Sequence, residues 1–299
     1  MALTERVRAW RERGDSERVG GRQIHVFRRQ GSEPMLLLLH GFPSSSYDWR
    51  LLLEEERDHA AVAFDCLGFG LSDKPGDHEY TLVEQADIAE VLVGRHSDSG
   101  PVFIVGHDMG TSVATELMAR DLEGVLQMDL RGVLLFNGSM IQGAASPTIA
   151  QRLLRGRLGA VMAQLSSERF FRQQFGSIFS PSHPLSDAEA EDQWSLICAA
   201  GGRALGHKLI AYMDERERRA ERWLGALREW PPEGSGSHSP DSLHLAWGML
   251  DPVATTRVLD GVRALRPAAP LTQFEDLGHY PQIEEPARVA AALRAALHA

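Results

Sequence analysis

Short, continuous runs of apolar residues alternate with helix-like segments near both ends of the chain. Such runs are typical of parallel strands covered on both faces, because these strands lose the alternation of polar and apolar residues. Residues 23–27 alternate instead, which predicts an edge strand. The continuous runs are residues 35–39, 60–64, 102–105, 133–136, 243–247 and 271–274. The pattern therefore predicts an α/β fold with a mostly parallel sheet flanked by helices.

The strand pattern stops after the fourth of these runs. The following interval shows only helical periodicity, as in residues 168–175, and it ends in a loop rich in proline, glycine and serine at residues 231–237. Apolar runs resume after this loop, so both ends of the chain contribute to one sheet. We therefore predict a core domain formed by residues 1–138 and 241–299, with a helical cap domain inserted at residues 139–240.

Composition narrows the class of protein and its partners. With 43% hydrophobic and 24% charged residues, the 299-residue chain has the composition of a globular protein and not of a disordered one. Its net charge of -10 argues against a nucleic-acid or membrane partner, because anionic phosphates require clustered positive charge. Two cysteines cannot build a disulfide framework or a cysteine zinc site. The first ten residues carry charges where a secretory signal needs an apolar core, and no apolar run approaches membrane-spanning length. We expect a cytoplasmic protein, either a monomer or a homodimer.

The sequence Gly-His-Asp-Met-Gly at residues 106–110 directly follows one apolar run and leads into small residues at 111–114. This is the layout of a nucleophile elbow, in which a sharp strand-to-helix turn presents a reactive side chain. Asp108 occupies the nucleophile position. An aspartate is already ionised at neutral pH, so it can attack directly and form an alkyl ester with the enzyme. The motif favours displacement at a saturated carbon, as in epoxide opening or carbon–halogen cleavage, over ordinary ester hydrolysis.

Three further motifs follow apolar runs, at strand ends where open α/β sheets place their ligands. Residues 40–43, His-Gly-Phe-Pro, contain a glycine that lets the backbone present an amide to a developing oxyanion. The amides of Phe42 and Met109 would together form the oxyanion hole. Asp251 and His279 follow the last two runs, which gives the expected order of nucleophile, acid and histidine. Each also has a structural alternative, Asp251 as a helix cap and His279 as a residue that satisfies a turn.

These motifs resemble those of the α/β-hydrolase superfamily, in the branch with aspartate nucleophiles that includes epoxide hydrolases and haloalkane dehalogenases. The resemblance spans nearly the whole chain. It is carried by residues 40–43, 65–75, 106–110 and 278–281. Residues 41–49 and 222–227 are still more similar to the mesoderm-specific transcript proteins, a subgroup of this family.

The resemblance implies a covalent mechanism in two steps, which the residues support independently. Asp108 attacks a substrate carbon, and water activated by His279 and oriented by Asp251 then attacks the carboxyl carbon of the ester. The amides of Phe42 and Met109 would stabilise the tetrahedral intermediate. The sequence contains no metal-ligand cluster, dinucleotide fingerprint or phosphate loop, so we expect no cofactor.

The leaving group separates the two enzyme classes. Haloalkane dehalogenases usually bind the halide with a tryptophan after the nucleophile and with a cap tryptophan or an asparagine after the His-Gly pair. Here Met109 follows the nucleophile position and Phe42 follows the His-Gly pair. Neither side chain has a hydrogen-bond donor. The sequence therefore disfavours dehalogenation.

An epoxide leaves as an alkoxide and needs a proton, which a tyrosine can donate. The resemblance implies two tyrosines in the cap, but Tyr212 is the only tyrosine in residues 139–240. Its alternative role is a packed helix aromatic. For a second donor, the candidates are His183, His207 and Gln174.

We predict that an apolar pocket is lined by Trp49, Met140, Phe175 and Trp194. Such a pocket would suit a small apolar organic substrate that reacts with water. The predicted function is hydrolysis of an apolar epoxide to a vicinal diol. The alternatives are a haloalkane dehalogenase with the same Asp-His-Asp residues and a catalytically silent, ligand-binding member of the family.

Overall fold

The computed structural model describes residues 1–97, 100–232 and 242–298. The strands are β1 Gly14–Val19, β2 Arg22–Arg29, β3 Ser32–Leu39, β4 His59–Phe64, β5 Pro101–His107, β6 Asp129–Phe136, β7 Leu243–Gly248 and β8 Leu271–Phe274. The helices are α1 Glu5–Glu12, α2 Arg50–Glu55, α3 Leu82–His96, α4 Met109–Leu122, α5 Ile149–Arg155, α6 Gly159–Leu165, α7 Glu168–Gly176, α8 Asp187–Cys198, α9 Gly206–Leu209, α10 Tyr212–Arg218, α11 Ala220–Glu229, α12 Thr256–Leu265, α13 Pro281–Glu284 and α14 Pro286–Leu297. Short 3-10 segments occupy Ser46–Trp49, Gln142–Ala144 and Ala199–Leu205.

The strands form one eight-stranded sheet in the order β1-β2-β4-β3-β5-β6-β7-β8. The neighbours from β4 to β8 pair in parallel, whereas β1 with β2 and β2 with β4 pair antiparallel. In β3, Leu37 and Leu39 pack on the face covered by α3, α4, α11 and α12. Leu36 and Leu38 pack on the other face, with α1, α2 and α14. Burial on both faces explains the uninterrupted apolar runs and confirms the predicted α/β fold.

The prediction of an edge strand at residues 23–27 is wrong. These residues lie in β2, which pairs with β1 on one side and with β4 on the other. The edge strand is β1, which the sequence analysis missed because its largely polar sequence, Gly-Asp-Ser-Glu-Arg-Val, lacks an apolar run. Only Val19 of this strand is buried.

Seven helices, α5 to α11, connect β6 to β7, and the described residues of this interval contain no strand. The last of them, α11, packs along α4 of the sheet domain, where Trp223 Nε1 donates to Glu116 Oε2 at 2.8 Å. The division into core and cap stays a prediction, and its boundary at residues 240 and 241 lies outside the described residues. Within the described part of the chain, no helix has the length and apolar character needed to cross a membrane.

Candidate active site

Asp108 lies between the end of β5 and the start of α4, with φ 46° and ψ -110°. A positive φ is strained for a residue other than glycine, and such strain is common where a turn presents a reactive side chain. Gly110 makes this turn possible, because a Cβ at that position would lie 2.1 Å from the carbonyl oxygen of Leu39. The glycine after the nucleophile therefore allows α4 to begin directly against β3.

The two carboxylate oxygens of Asp108 have different surroundings. Oδ2 accepts the backbone N–H of Phe42 at 2.9 Å. Gly41 permits this approach, since a Cβ there would lie 2.7 Å from Asp108 Cβ. Oδ1 is buried and accepts no hydrogen bond from a described residue. Met109 is the first residue of α4, where N–H groups have no partner within the helix. One predicted oxyanion-hole donor thus contacts the nucleophile, and the other lies at the adjoining helix terminus.

Asp251 orients His279 through a hydrogen bond of 2.7 Å between Oδ2 and the ring Nδ1. The same oxygen accepts Asn137 Nδ2 at 2.7 Å. The other oxygen, Oδ1, accepts the backbone N–H groups of Val253 at 2.7 Å and Ala254 at 3.0 Å. Asp251 does not cap a helix, because the next helix begins only at Thr256; one of its oxygens satisfies the local turn while the other binds the histidine.

Burial and the neighbouring charge act in opposite directions on the pKa values of His279 and Asp251. Burial tends to lower the pKa of His279, but the charge and hydrogen bond of Asp251 outweigh it and raise the pKa above the usual imidazole value. Burial likewise tends to raise the pKa of Asp251, but His279 and Asn137 hold it below the usual carboxyl value. In contrast, burial and the charge of His279 lower the pKa of His107 to about 3. His107 is therefore neutral, and its Nε2 donates to the backbone oxygen of His279 at 2.7 Å.

Tyr212 begins α10 and is buried, with its ring centroid 5.7 Å from that of Phe42. Burial and the charge of Asp108 raise the pKa of its hydroxyl, so the phenol is protonated at neutral pH. The side chain of Gln151 acts in the opposite direction and lowers the pKa of this hydroxyl, but by less. Gln151 Oε1 accepts the N–H of Thr148 at 2.8 Å, which leaves the amide hydrogens of Gln151 for another acceptor. Tyr212 is not among the residues that line the cavity, although its neighbour Gln151 is, so its role as proton donor stays a prediction.

Arg216 is a site residue that the sequence analysis missed. It is buried, and it donates from Nη2 to the backbone oxygen of Asp108 at 2.8 Å and from Nε to Ser112 Oγ at 2.7 Å. Nη2 also lies 3.9 Å from Asp108 Oδ1. One sequence pattern could have identified Arg216. It follows Tyr212 by four residues and therefore lies on the same face of the helix. A buried cation therefore supports the nucleophile elbow from α10.

A cavity of about 120 Å³ lies next to these groups. Phe42, whose amide contacts Asp108, and His279 both contribute to its wall, whereas Asp108 itself does not. Two of the four predicted pocket residues, Phe175 and Trp194, line it as well. The other walls come from the sequence between β6 and β7 and from the loop after β4, including Gly68, Lys74, Gln151, Leu154, Ala163, Phe170, Phe171, Gln174 and Leu209. The lining is predominantly apolar.

The other two predicted pocket residues, Trp49 and Met140, do not line this cavity. Trp49 is fully buried and packs edge-on against Phe136 of β6. Met140 packs in the core between the sheet and its helices. Both predictions were wrong because a large apolar side chain near a strand end suits the core and a pocket equally well.

Of the three candidates for a second proton donor, only Gln174 lines the cavity. Its Oε1 accepts the N–H of Ala150 at 3.2 Å, which leaves its amide hydrogens free to donate. His183 instead bonds Ser180 and lies 3.2 Å from Glu285. His207 Nδ1 bonds the carbonyl of Ala204. The structure therefore contradicts a donor role for both histidines, since local partners outside the cavity wall hold them.

Comparison with known proteins agrees with this architecture. A sequence model described as "Alpha/beta hydrolase family" matches residues 36–292. The chain belongs to the alpha/beta hydrolase family, which confirms both the resemblance and the fold that it implied.

Similar proteins include a bacterial relative and a more distant animal group. Putative hydrolase LipZ of Mycobacterium tuberculosis is 48% identical over 286 residues, covering 96% of each chain. Mesoderm-specific transcript homolog protein of Homo sapiens is 33% identical over 265 residues, covering 86% of this chain and 76% of that protein. The solved structure of epoxide hydrolase CorEH superposes with a TM-score of 0.75 at 17% identity, covering 95% of this chain and 98% of that one. At this identity the structural similarity concerns the fold alone.

Proposed function

We propose that this protein is an epoxide hydrolase that converts a small apolar epoxide and water into a vicinal diol. The observation that carries the proposal is the arrangement around Asp108. Its Oδ2 is held by the Phe42 amide, whereas Oδ1 accepts no hydrogen bond from a described residue. An ionised oxygen that needs no deprotonation and is not occupied by a donor suits attack on carbon.

In the first step, Asp108 Oδ1 attacks one epoxide carbon and the bond from that carbon to the ring oxygen breaks. The oxygen leaves as an alkoxide and takes the phenol proton of Tyr212, which leaves a tyrosinate. The side-chain amides of Gln151 and Gln174, at the cavity wall, are suited to orient the ring oxygen. The product of this step is a hydroxyalkyl ester of Asp108.

In the second step, His279 removes a proton from water, and the resulting hydroxide attacks the carboxyl carbon of the ester. The Phe42 amide and the Met109 amide at the start of α4 stabilise the oxyanion of the tetrahedral intermediate. Collapse of the intermediate releases the diol and restores the Asp108 carboxylate. The proton that His279 has taken replaces the one that Tyr212 gave, so the cycle is balanced.

One observation favours a second candidate, haloalkane dehalogenation. Trp194 lines the cavity and carries an indole N–H. An indole N–H is a suitable donor to a leaving halide. Phe42 and Met109 still offer no side-chain donor, and for that reason we place this reaction second.

The test uses the variant His279→Gln, which retains the nucleophile but lacks the base. Incubation with styrene oxide is expected to leave an adduct on Asp108, because ester formation does not require His279. Intact mass separates the two reactions, since an epoxide adds its whole mass whereas a haloalkane such as 1-bromobutane adds only its alkyl group. The doubly substituted chain, Asp108→Asn with His279→Gln, is the matched control and should remain unmodified.

A second readout follows the oxygen atoms. A single turnover of the wild-type protein in 18O-water should place the label in Asp108 and not in the diol, because water attacks the carboxyl carbon. Turnover of styrene oxide without an adduct in His279→Gln, and with label in the first diol formed, would contradict covalent catalysis.

A further inference from the structure

The outer surface of α5, α6 and the loop between them exposes an unusual number of large apolar side chains. Five of the nine exposed large hydrophobic residues in the described chain lie within residues 149–165. They are Ile149, Leu153, Leu158, Val161 and Leu165, with exposed fractions of 54%, 37%, 68%, 50% and 72%. The two helices pack against each other and against α9, so these side chains lie on neighbouring elements. We call residues 149–165 the apolar face.

The same segment is locally cationic although the whole protein is anionic. Residues 149–167 contain three arginines and no acidic residue, in a chain whose net charge is -10. Arg155 is paired with Asp214 and Glu217. Arg152 and Arg157 are exposed and form no ion pair with any residue that the structure describes. Two arginine charges beside exposed aliphatic side chains therefore face solvent.

The apolar face is also the outer wall of the active-site cavity. Gln151 and Leu154 of α5 and Ala163 of α6 line the cavity from the inside. Leu153, Leu158 and Leu165 are exposed on the outside of the same two helices and their connection. An apolar molecule held at the outer surface would therefore be separated from the cavity by only one layer of short helices.

We propose that the apolar face docks onto an anionic lipid bilayer, and that the apolar substrate enters the cavity from that bilayer. Aliphatic side chains interleaved with unpaired arginines are the composition of segments that lie in the membrane interface. A second copy of the chain fits less well, because a twofold contact would bring the unpaired arginines of both copies together. The entry of substrate rests on the proposed function, whereas the docking rests on the surface alone.

This proposal departs from the expectation, based on net charge, that the protein has no membrane partner. The overall charge of -10 repels an anionic surface at long range, whereas the apolar face presents positive charge at contact. The binding should therefore be reversible, sensitive to salt and limited to one orientation.

The test measures flotation of the full chain with vesicles of phosphatidylglycerol and phosphatidylcholine, beside vesicles of phosphatidylcholine alone. The protein should float with the anionic vesicles at low salt. The pair Leu158→Ser with Leu165→Ser should weaken this binding by about tenfold or more, because two leucines no longer enter the bilayer. The matched control, Val91→Ser with Val125→Ser, removes exposed apolar side chains elsewhere and should bind normally.

A second pair, Arg152→Gln with Arg157→Gln, isolates the charge and should remove the preference for anionic vesicles, by roughly tenfold. Asp108→Asn should bind vesicles like the wild type. The docking proposal therefore does not depend on whether the catalytic proposal is correct. None of the substituted surface residues lines the cavity, so hydrolysis of dispersed styrene oxide should not change in either pair.

Three results would overturn the proposal. The first is the absence of flotation with anionic vesicles at low salt. The second is equal flotation of the Leu158→Ser with Leu165→Ser pair and the wild type. The third is a dimer of the wild type that this pair dissociates, which would assign the apolar face to a second copy of the chain.

Discussion

Replacing Asp251 with asparagine is expected to slow hydrolysis of the ester far more than its formation. The substitution removes the charge opposite His279 and disturbs a hydrogen bond of 2.7 Å. A hydrogen bond to a charged group contributes about 1.5–3 kcal/mol, and each 1.4 kcal/mol corresponds to about a factor of ten in rate. Together with the wrong ring tautomer, this predicts a loss in the hydrolysis rate of about 10²- to 10⁴-fold. Attack by Asp108 does not use His279 and should change by less than about tenfold.

The assay is rapid quenching with styrene oxide followed by intact mass measurement. In Asp251→Asn the ester should accumulate during turnover and then decay slowly, whereas in His279→Gln it should persist. The matched control is Asp276→Asn, which removes a half-exposed surface carboxylate paired with Arg288 and should leave both steps unchanged. Equal slowing of ester formation and decay would refute the division of labour between the nucleophile and the Asp251–His279 pair.

Three further outcomes are expected. Tyr212→Phe should slow formation of the adduct by about 10²-fold while leaving its decay unchanged, because the phenol acts only in ring opening; quenched mass measurements check this. Hydrolysis of the ester should become slower as pH decreases, because His279 is a base only when it is neutral. Since the pKa of His279 is raised, the rate should begin to fall at a pH above the ordinary imidazole value of about 6.5. A profile of kcat against pH checks this. Gly110→Ala should lower the free energy of unfolding by at least about 3 kcal/mol, because its Cβ would lie 2.1 Å from a backbone oxygen of β3. Gly94→Ala, a solvent-facing position in α3 with no atom within 4 Å of the added Cβ, should instead stabilise by about 0.5–1 kcal/mol; denaturant unfolding compares the two variants.

The sequence predicted the features that depend on the order of residues along the chain. Parallel strands buried on both faces need continuous apolar runs, and the runs correspond to β3 through β8. The turn at Asp108 needs glycines on both sides, and these glycines made Asp108 recognisable as the candidate nucleophile. Asp251 and His279 were found because both follow strands at the same edge of the sheet. Each of these signals lies within a few consecutive residues.

The features that the sequence did not predict depend on packing between distant segments. Trp49 and Met140 are apolar whether they face a cavity or the core, and only the fold decides between the two. His183 and His207 are chemically suitable donors, but their local partners hold them outside the cavity wall. Arg216 meets Asp108 only because α10 packs against the start of α4, a contact between residues more than a hundred positions apart.

The side chain of Gln151 links α5 to the proposed proton donor Tyr212. Its carbonyl is fixed by the first turn of that helix, and its side chain lowers the pKa of the Tyr212 hydroxyl, which we propose as the proton donor. A bulky epoxide that displaces α5 could bind well and still react slowly, because the phenol would lose its support. Discrimination between epoxides of different size should therefore affect the turnover number more than the Michaelis constant.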